Sequence, residues 1–160
     1  YKYYNIKMLK KLFIPVLFLF LNSCGYEAIY SKKNFSKFDF SISELTFIGE
    51  RKVNLKIKQN LHNYTVREKS NSLIVEITSS EEKKTVAKDV AGDPTKFKIF
   101  IDVSAKVKKD KIRGNFVFTE SFTYNNNSNK MDLTALENNI INNLTRIITE
   151  KLIFKLSNFQ

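Results

Sequence analysis

Few side chains in this chain of 160 residues could do covalent or metal chemistry. There is one cysteine, Cys24, and one histidine, His62. A transition-metal site needs a cluster of such ligands, and a disulfide framework needs cysteines in pairs. The sequence therefore predicts no metal site, no disulfide and no cofactor. A Ser/His/Asp or Cys/His arrangement has a single histidine to draw on, and the four glycines form no phosphate-cradling loop. Carboxylate pairs could be assembled from Asp39, Glu44 and Glu120, but these read as strand and surface charges. His62 falls on a helical segment as a solvated side chain. The expectation is a protein that is not an enzyme.

Cys24 has a more specific setting. Met8-Leu9-Lys10-Lys11 is cationic, Leu12 to Leu21 is apolar apart from Pro15, and Asn22-Ser23 precedes the cysteine. A cationic start, about ten apolar residues and a small residue before a cut make a secretory signal. The run is shorter than the roughly 20 residues a membrane span needs. Leu21-Asn22-Ser23-Cys24 resembles the lipobox of bacterial lipoproteins, in which the cysteine thiol takes a diacylglycerol. The competing reading is an ordinary buried thiol on a core element. On the lipobox reading, residues 1–23 are a signal with Met8 as the first plausible initiator, and 24–37 are a lipidated tether. Gly25 rather than Asp after the cysteine points to the outer membrane.

Without residues 1–23, four lysines fewer, the net charge falls from +11 to +7 (27 − 4 basic against 16 acidic). A basic surface attracts anions. The cations are 23 Lys and 4 Arg among many Asn, Ile and Phe, a bias that an AT-rich genome produces unaided. An exported chain also makes nucleic acid an unsuitable partner.

The elements that would position any site follow from hydrophobic periodicity. A first strand covers Phe38 to Ile48, with a change of parity that predicts a bulge or a break near Ser43. Glu50 to Tyr64 fits a helix through Val53, Ile57, Leu61 and Tyr64, although Val53, Leu55 and Ile57 also alternate. Leu73, Val75 and Ile77 mark a strand over Ser72 to Ser79. A charged connection then runs from Ser80 to Pro94. Phe97 to Val107 alternate as a half-buried strand, with Phe100 an apolar exception on the wet side. Lys109-Asp110-Lys111 turns into a strand from Arg113 to Tyr124, where Glu120 interrupts the aromatic face. That carboxylate is at a bulge, paired, or near a solvated edge. After Asn125 to Asn129 comes a helix from Asp132, its N-cap, to Leu156, with a continuous apolar stripe of Leu133, Leu136, Ile140, Ile141, Leu144, Ile147, Ile148 and Leu152. The predicted class is α+β: a two-layer sandwich over 38–160, one four-stranded sheet with two helices on one face, in the order β-α-β-β-β-α.

Cys24-Gly25-Tyr26 ahead of this order of elements resembles the LptE family of lipopolysaccharide-assembly lipoproteins. So do Ala87-Lys88-Asp89 before an alternating strand, Ser121-Phe122-Thr123-Tyr124 ending the next, and a final helix with Leu or Ile at every turn. Lys stands where the family more often has Arg, and Asn replaces Ala on the last helix. The resemblance implies an outer-membrane lipoprotein that plugs and helps assemble an LptD-like β-barrel and binds lipopolysaccharide. Lysine would meet the phosphates as a point charge. The candidate residues are Lys106, Lys108, Lys109, Lys111 and Arg113 around the last hairpin, then Lys83, Lys84 and Lys88. For each of them a solvated basic turn is the competing reading. The alternative function is a free-standing envelope lipoprotein that binds peptidoglycan or another envelope polymer.

Overall fold

The structure is a computed structural model that describes residues 40–66 and 71–159. The signal, Cys24, the tether and the first two residues of the predicted first strand lie outside the described residues. The elements are β1 (Ser41–Gly49), α1 (Arg51–Thr65), β2 (Ser72–Lys88), β3 (Pro94–Lys109), β4 (Ile112–Asn125) and α2 (Lys130–Ser157). The four strands form one sheet in the order β1-β2-β3-β4. The β1 and β2 strands are parallel, and the other two pairings are antiparallel. This is the predicted α+β sandwich, with both helices on one face.

The bulge falls where the parity of β1 changes. The pairing with β2 steps from Ile42 to Glu44 and skips Ser43, whose hydroxyl instead donates to the Leu73 carbonyl at 3.2 Å. Ile42, Leu45 and Phe47 thereby share the inner face. The change of direction from β1 into α1 needs Gly49, at φ +96. A Cβ there would lie 1.9 Å from the Ser79 carbonyl oxygen. Glu50 caps α1 by accepting from the Lys52 N–H. The helical reading of this segment holds, since Val53, Ile57, Leu61 and Tyr64 are its buried residues and Leu55 is exposed. Tyr64 stacks on Phe40 with ring centroids 4.6 Å apart, and burial raises its phenol pKa.

Three expectations need correction. The first is the charged connection from Ser80 to Pro94, most of which is strand: β2 continues to Lys88 and the turn is only 89–93. Asp89 builds that turn, its carboxylate accepting from the N–H groups of Ala91 (3.0 Å) and Asp93 (2.9 Å). The alternation was hidden because both faces of this half of β2 are polar. Second, the N-cap of α2 is Asn129, whose side chain accepts from the N–H groups of Met131 and Asp132. Asp132 lies in the first turn, where its charge suits the helix dipole. Third, the buried stripe of α2 keeps Ile140, Ile141, Leu144, Ile148 and Leu152 but is wider than expected and begins later. Leu136 is 40% exposed, while Thr145, Thr149 and Ile153 are buried, because α2 packs on α1 as well as on the sheet. The two threonines satisfy their hydroxyls within the helix, donating at 2.7 Å to the carbonyls four residues earlier.

The core lies between the sheet's inner face and the helices. Val75, Ile77, Ile101, Val103 and Ala105 are fully buried beneath Ile57, Leu61, Ile148 and Leu152. At the edge strand β4 the cover is partial: Phe122 has the expected parity but is 51% exposed. Glu120 is paired, accepting a short hydrogen bond from Lys151 of α2. Gly114 leaves room on β4 for Phe159, whose ring meets Phe116 edge-on at 6.0 Å.

Candidate functional site

Among the described residues no helix covers the sheet's outer face, so the cations there are open to other molecules. Antiparallel register places residues directly opposite one another on the same face. One row across the outer face reads Ile74, Lys108, Arg113, and the next reads Glu76, Lys106, Asn115. Near the other end a row reads Lys84, Lys98, Thr123. Ten residues of β3 separate Lys98 from Lys108, about 33 Å at strand rise. The candidate lysines therefore form two clusters at opposite ends of the sheet.

The first cluster surrounds the β3–β4 turn. Lys108, Lys111 and Arg113 are exposed and Lys109 is half-buried. Asp110 turns the chain at φ 51, a conformation its short polar side chain tolerates. Lys106 is ion-paired with Glu76 at 2.7 Å. Among the described residues, no ion pair engages Lys108, Lys109, Lys111 or Arg113.

The second cluster divides between the two faces. Lys83 is on the inner side, where its ammonium donates to Glu137 at 2.6 Å and lies 4.2 Å from the Phe97 ring centroid. The Tyr124 hydroxyl donates to the same carboxylate oxygen at 2.6 Å. Burial alone would raise the Glu137 carboxyl, but the bonds from Lys83 and Tyr124 and the charges of Lys83 and Lys52 hold it below its ordinary value. The Tyr124 phenol is pushed far up by burial, by the hydrogen bond it donates to Glu137 and by the negative charges of Glu137 and Glu81. Nearby, Glu81 is raised by burial first and then by Glu50 and Glu137, against the opposing charge of Lys52. Lys83 is thus engaged in a network that ties α2 to the sheet.

Lys84 belongs to the outer face. It pairs with Glu82 at 2.9 Å and lies 5.2 Å from the Phe100 ring centroid. Lys98, directly opposite, lies 4.9 Å from the same ring. Two like charges in facing positions repel. The Phe100 ring, through cation–π attraction, and the Glu82 carboxylate offset that repulsion. Lys88 ends β2 opposite Pro94, and Lys96 lies opposite Ala87. Lys98 was not among the sequence candidates, although Phe100, the apolar exception in the wet stripe, was its signal. The patch presents two ammonium groups beside one aromatic face, a surface that can hold a phosphate against a sugar ring. No group of His, Cys, Asp and Glu among the described residues could hold a metal ion.

Solved structures share this architecture. The crystal structure of the rare lipoprotein B from Shewanella oneidensis matches with a TM-score of 0.52 and 11% identity, over 70% of this chain and 95% of that one. The solution structure of an uncharacterized lipoprotein B from Nitrosomonas europaea matches with a TM-score of 0.52 and 12% identity, over 75% of this chain and 84% of that one. The likeness is one of fold. No protein-family model matches the sequence, and no curated protein does.

Proposed function

We propose that the chain is a lipid-anchored lipoprotein of the bacterial outer membrane that acts as LptE-type proteins do, seated in an LptD-like β-barrel and binding lipopolysaccharide on its way to the surface. The observation that carries this reading is the lipobox-like Leu21-Asn22-Ser23-Cys24 placed ahead of a sandwich whose uncovered sheet face is polar and basic. The fold shared with two bacterial lipoproteins supports it. A lipid on Cys24 supplies roughly 0.8 kcal/mol of membrane affinity per buried methylene. The uncovered outer face then meets the barrel's interior or its cargo. On this reading Lys84 and Lys98, with Lys88 and Lys96 nearby, meet the phosphates of lipid A or the core sugars, and Phe100 stacks on a ring.

Extraction in mild detergent tests the partner. An outer-membrane β-barrel should co-purify in near one-to-one amount. Recovery of the lipoprotein alone, under conditions that keep other barrel complexes whole, would remove the plug reading and leave a free-standing lipoprotein that binds peptidoglycan or another polymer. For the ligand, Lys84→Glu with Lys98→Glu should weaken lipopolysaccharide association, and undiminished association would exclude this patch.

A further inference from the structure

The two ends of the sheet are not equivalent. The chain enters the domain at β1, where the Ser41 N–H donates to the Asn71 carbonyl at 2.8 Å and Ser41 pairs with Ser72. Two residues further along β2, Ile74 lies opposite Lys108. The link that leads back to Cys24 therefore joins the end of the sheet that carries the β3–β4 turn. Three inter-strand steps separate β1 from β4, about 15 Å. The β2–β3 turn lies a whole strand away, about 50 Å along the 16 residues of β3.

The near end has the composition of a headgroup-binding surface. Between Lys108 and Arg113 there are four cations and one carboxylate, Asp110, a net charge of +3 over six residues (4 − 1). None of the four cations is ion-paired with another described residue. Ile112, between Lys111 and Arg113, is 46% exposed, an apolar side chain among cations. Glu44 shares the outer-face row with Ile74 and Lys108 and tempers the charge on the β1 side. From α2, Lys155 in the last turn adds a cation at this end. Stable membrane attachment commonly joins a lipid chain to a basic surface.

We infer that the β3–β4 hairpin is a membrane contact: Lys108, Lys109, Lys111 and Arg113 rest on anionic phospholipid headgroups of the leaflet that holds the anchor. This rests on the reading of Cys24 as the lipid attachment point. The Lys84–Lys98–Phe100 patch, at the other end of the sheet, stays free for the barrel or its cargo.

The test uses residues 24–160 with Cys24→Ser, so that neither an acyl chain nor the apolar Leu12–Leu21 run masks the hairpin's contribution. It is sedimented with phosphatidylcholine vesicles, with and without phosphatidylglycerol. The chain should bind only the anionic vesicles, and added salt should weaken binding. Each cation near such a surface contributes roughly a fivefold factor. Changing Lys108, Lys109, Lys111 and Arg113 to Gln together should therefore lower partitioning on the order of several hundredfold. Replacing the three lysines by Arg should preserve it, and Lys84→Gln with Lys98→Gln should leave it unchanged. Thermal melts of each variant separate lost binding from lost folding. Equal partitioning of the fourfold variant, or an equal loss from the Lys84 and Lys98 changes, overturns the inference. So does a preference of the hairpin for lipopolysaccharide micelles over the anionic vesicles. The mass of the native chain reads acylation of Cys24 separately, so failure of the anchor reading is distinct from failure of the hairpin contact.

Discussion

Changing Glu137→Gln isolates the electrostatic tie between α2 and the far half of the sheet. The substitution keeps the side chain's shape and an acceptor for Tyr124, but removes the charge that Lys83 meets at 2.6 Å. Hydrogen bonds to charged groups are worth about 1.5–3 kcal/mol, against about 0.5–1.5 for neutral ones. The Lys83 side chain is 38% exposed and that of Glu137 21%, so solvent screening moves the difference toward surface values. The expected loss is about 1 kcal/mol at neutral pH. The pH dependence carries the sign. The folded carboxyl sits below its ordinary value, so its contribution is present above the unfolded glutamate pKa of about 4.3 and disappears as pH falls through the lower folded value. Urea denaturation of both proteins across this range should show a gap at neutral pH that closes in acid. A gap of the same size at both pH values, or none at either, would refute the electrostatic account.

Glu81→Gln should act in the opposite direction. Its carboxyl is raised in the fold, so the ionised form is penalised above that folded value and the penalty is relieved as pH falls through it. The variant should melt higher than the native chain at neutral pH, and the advantage should vanish in acid. Gly49→Ala combines a positive φ with a Cβ 1.9 Å from the Ser79 carbonyl oxygen. It should cost upwards of about 2 kcal/mol in denaturant midpoint measurements, whereas Gly92→Ala, with open space around its Cβ but a φ of +91, should cost about 1 kcal/mol. Leu152→Ala, at a fully buried position, should cost about 2–5 kcal/mol, and a change within measurement error would show that α2 is not packed as described.

The elements that read clearly in the sequence are those with one wet and one dry face. Alternation in β3 and the parity change in β1 gave strand, face and bulge together, because burial of one face leaves a period of two. The far half of β2 did not read as strand, since Glu81, Glu82, Lys83 and Lys84 hide the period on both faces. Its pairing to β3 is a backbone property that side-chain hydropathy does not record. The apolar stripe of α2 was legible, but its extension to Thr145, Thr149 and Ile153 was not, because contact between two helices depends on a tertiary arrangement that neither helix encodes alone. Among the candidate cations, sequence placed the hairpin group together correctly, since a turn keeps its neighbours close. It could not separate Lys83 from Lys84. Adjacent residues of a strand face opposite ways, and only the sheet's orientation decides which one meets Glu137 and which one meets Phe100.

Strand length then becomes the property that connects the fold to the proposed work. The β2, β3 and β4 strands run 17, 16 and 14 residues, against a usual 5–6. The buried face of β1 and α1 ends where Gly49 pairs with Ser79, so among the described residues the remainder of β2 has no neighbouring strand on that side. An open edge invites unwanted pairing, and the charges of Glu81 to Lys84 are the kind of residue that discourages it. A sheet that served only to close a core could stop at Ser79 and carry no such edge. The added half buries Ile99 and Ile101 and also carries the Lys83–Glu137–Tyr124 network and the Lys84–Lys98–Phe100 patch. On the proposed reading its value is reach: it holds a phosphate-binding patch about 33 Å from a hairpin that stays at the membrane. Flexible loops could span that distance, but they would not fix the direction in which the patch points.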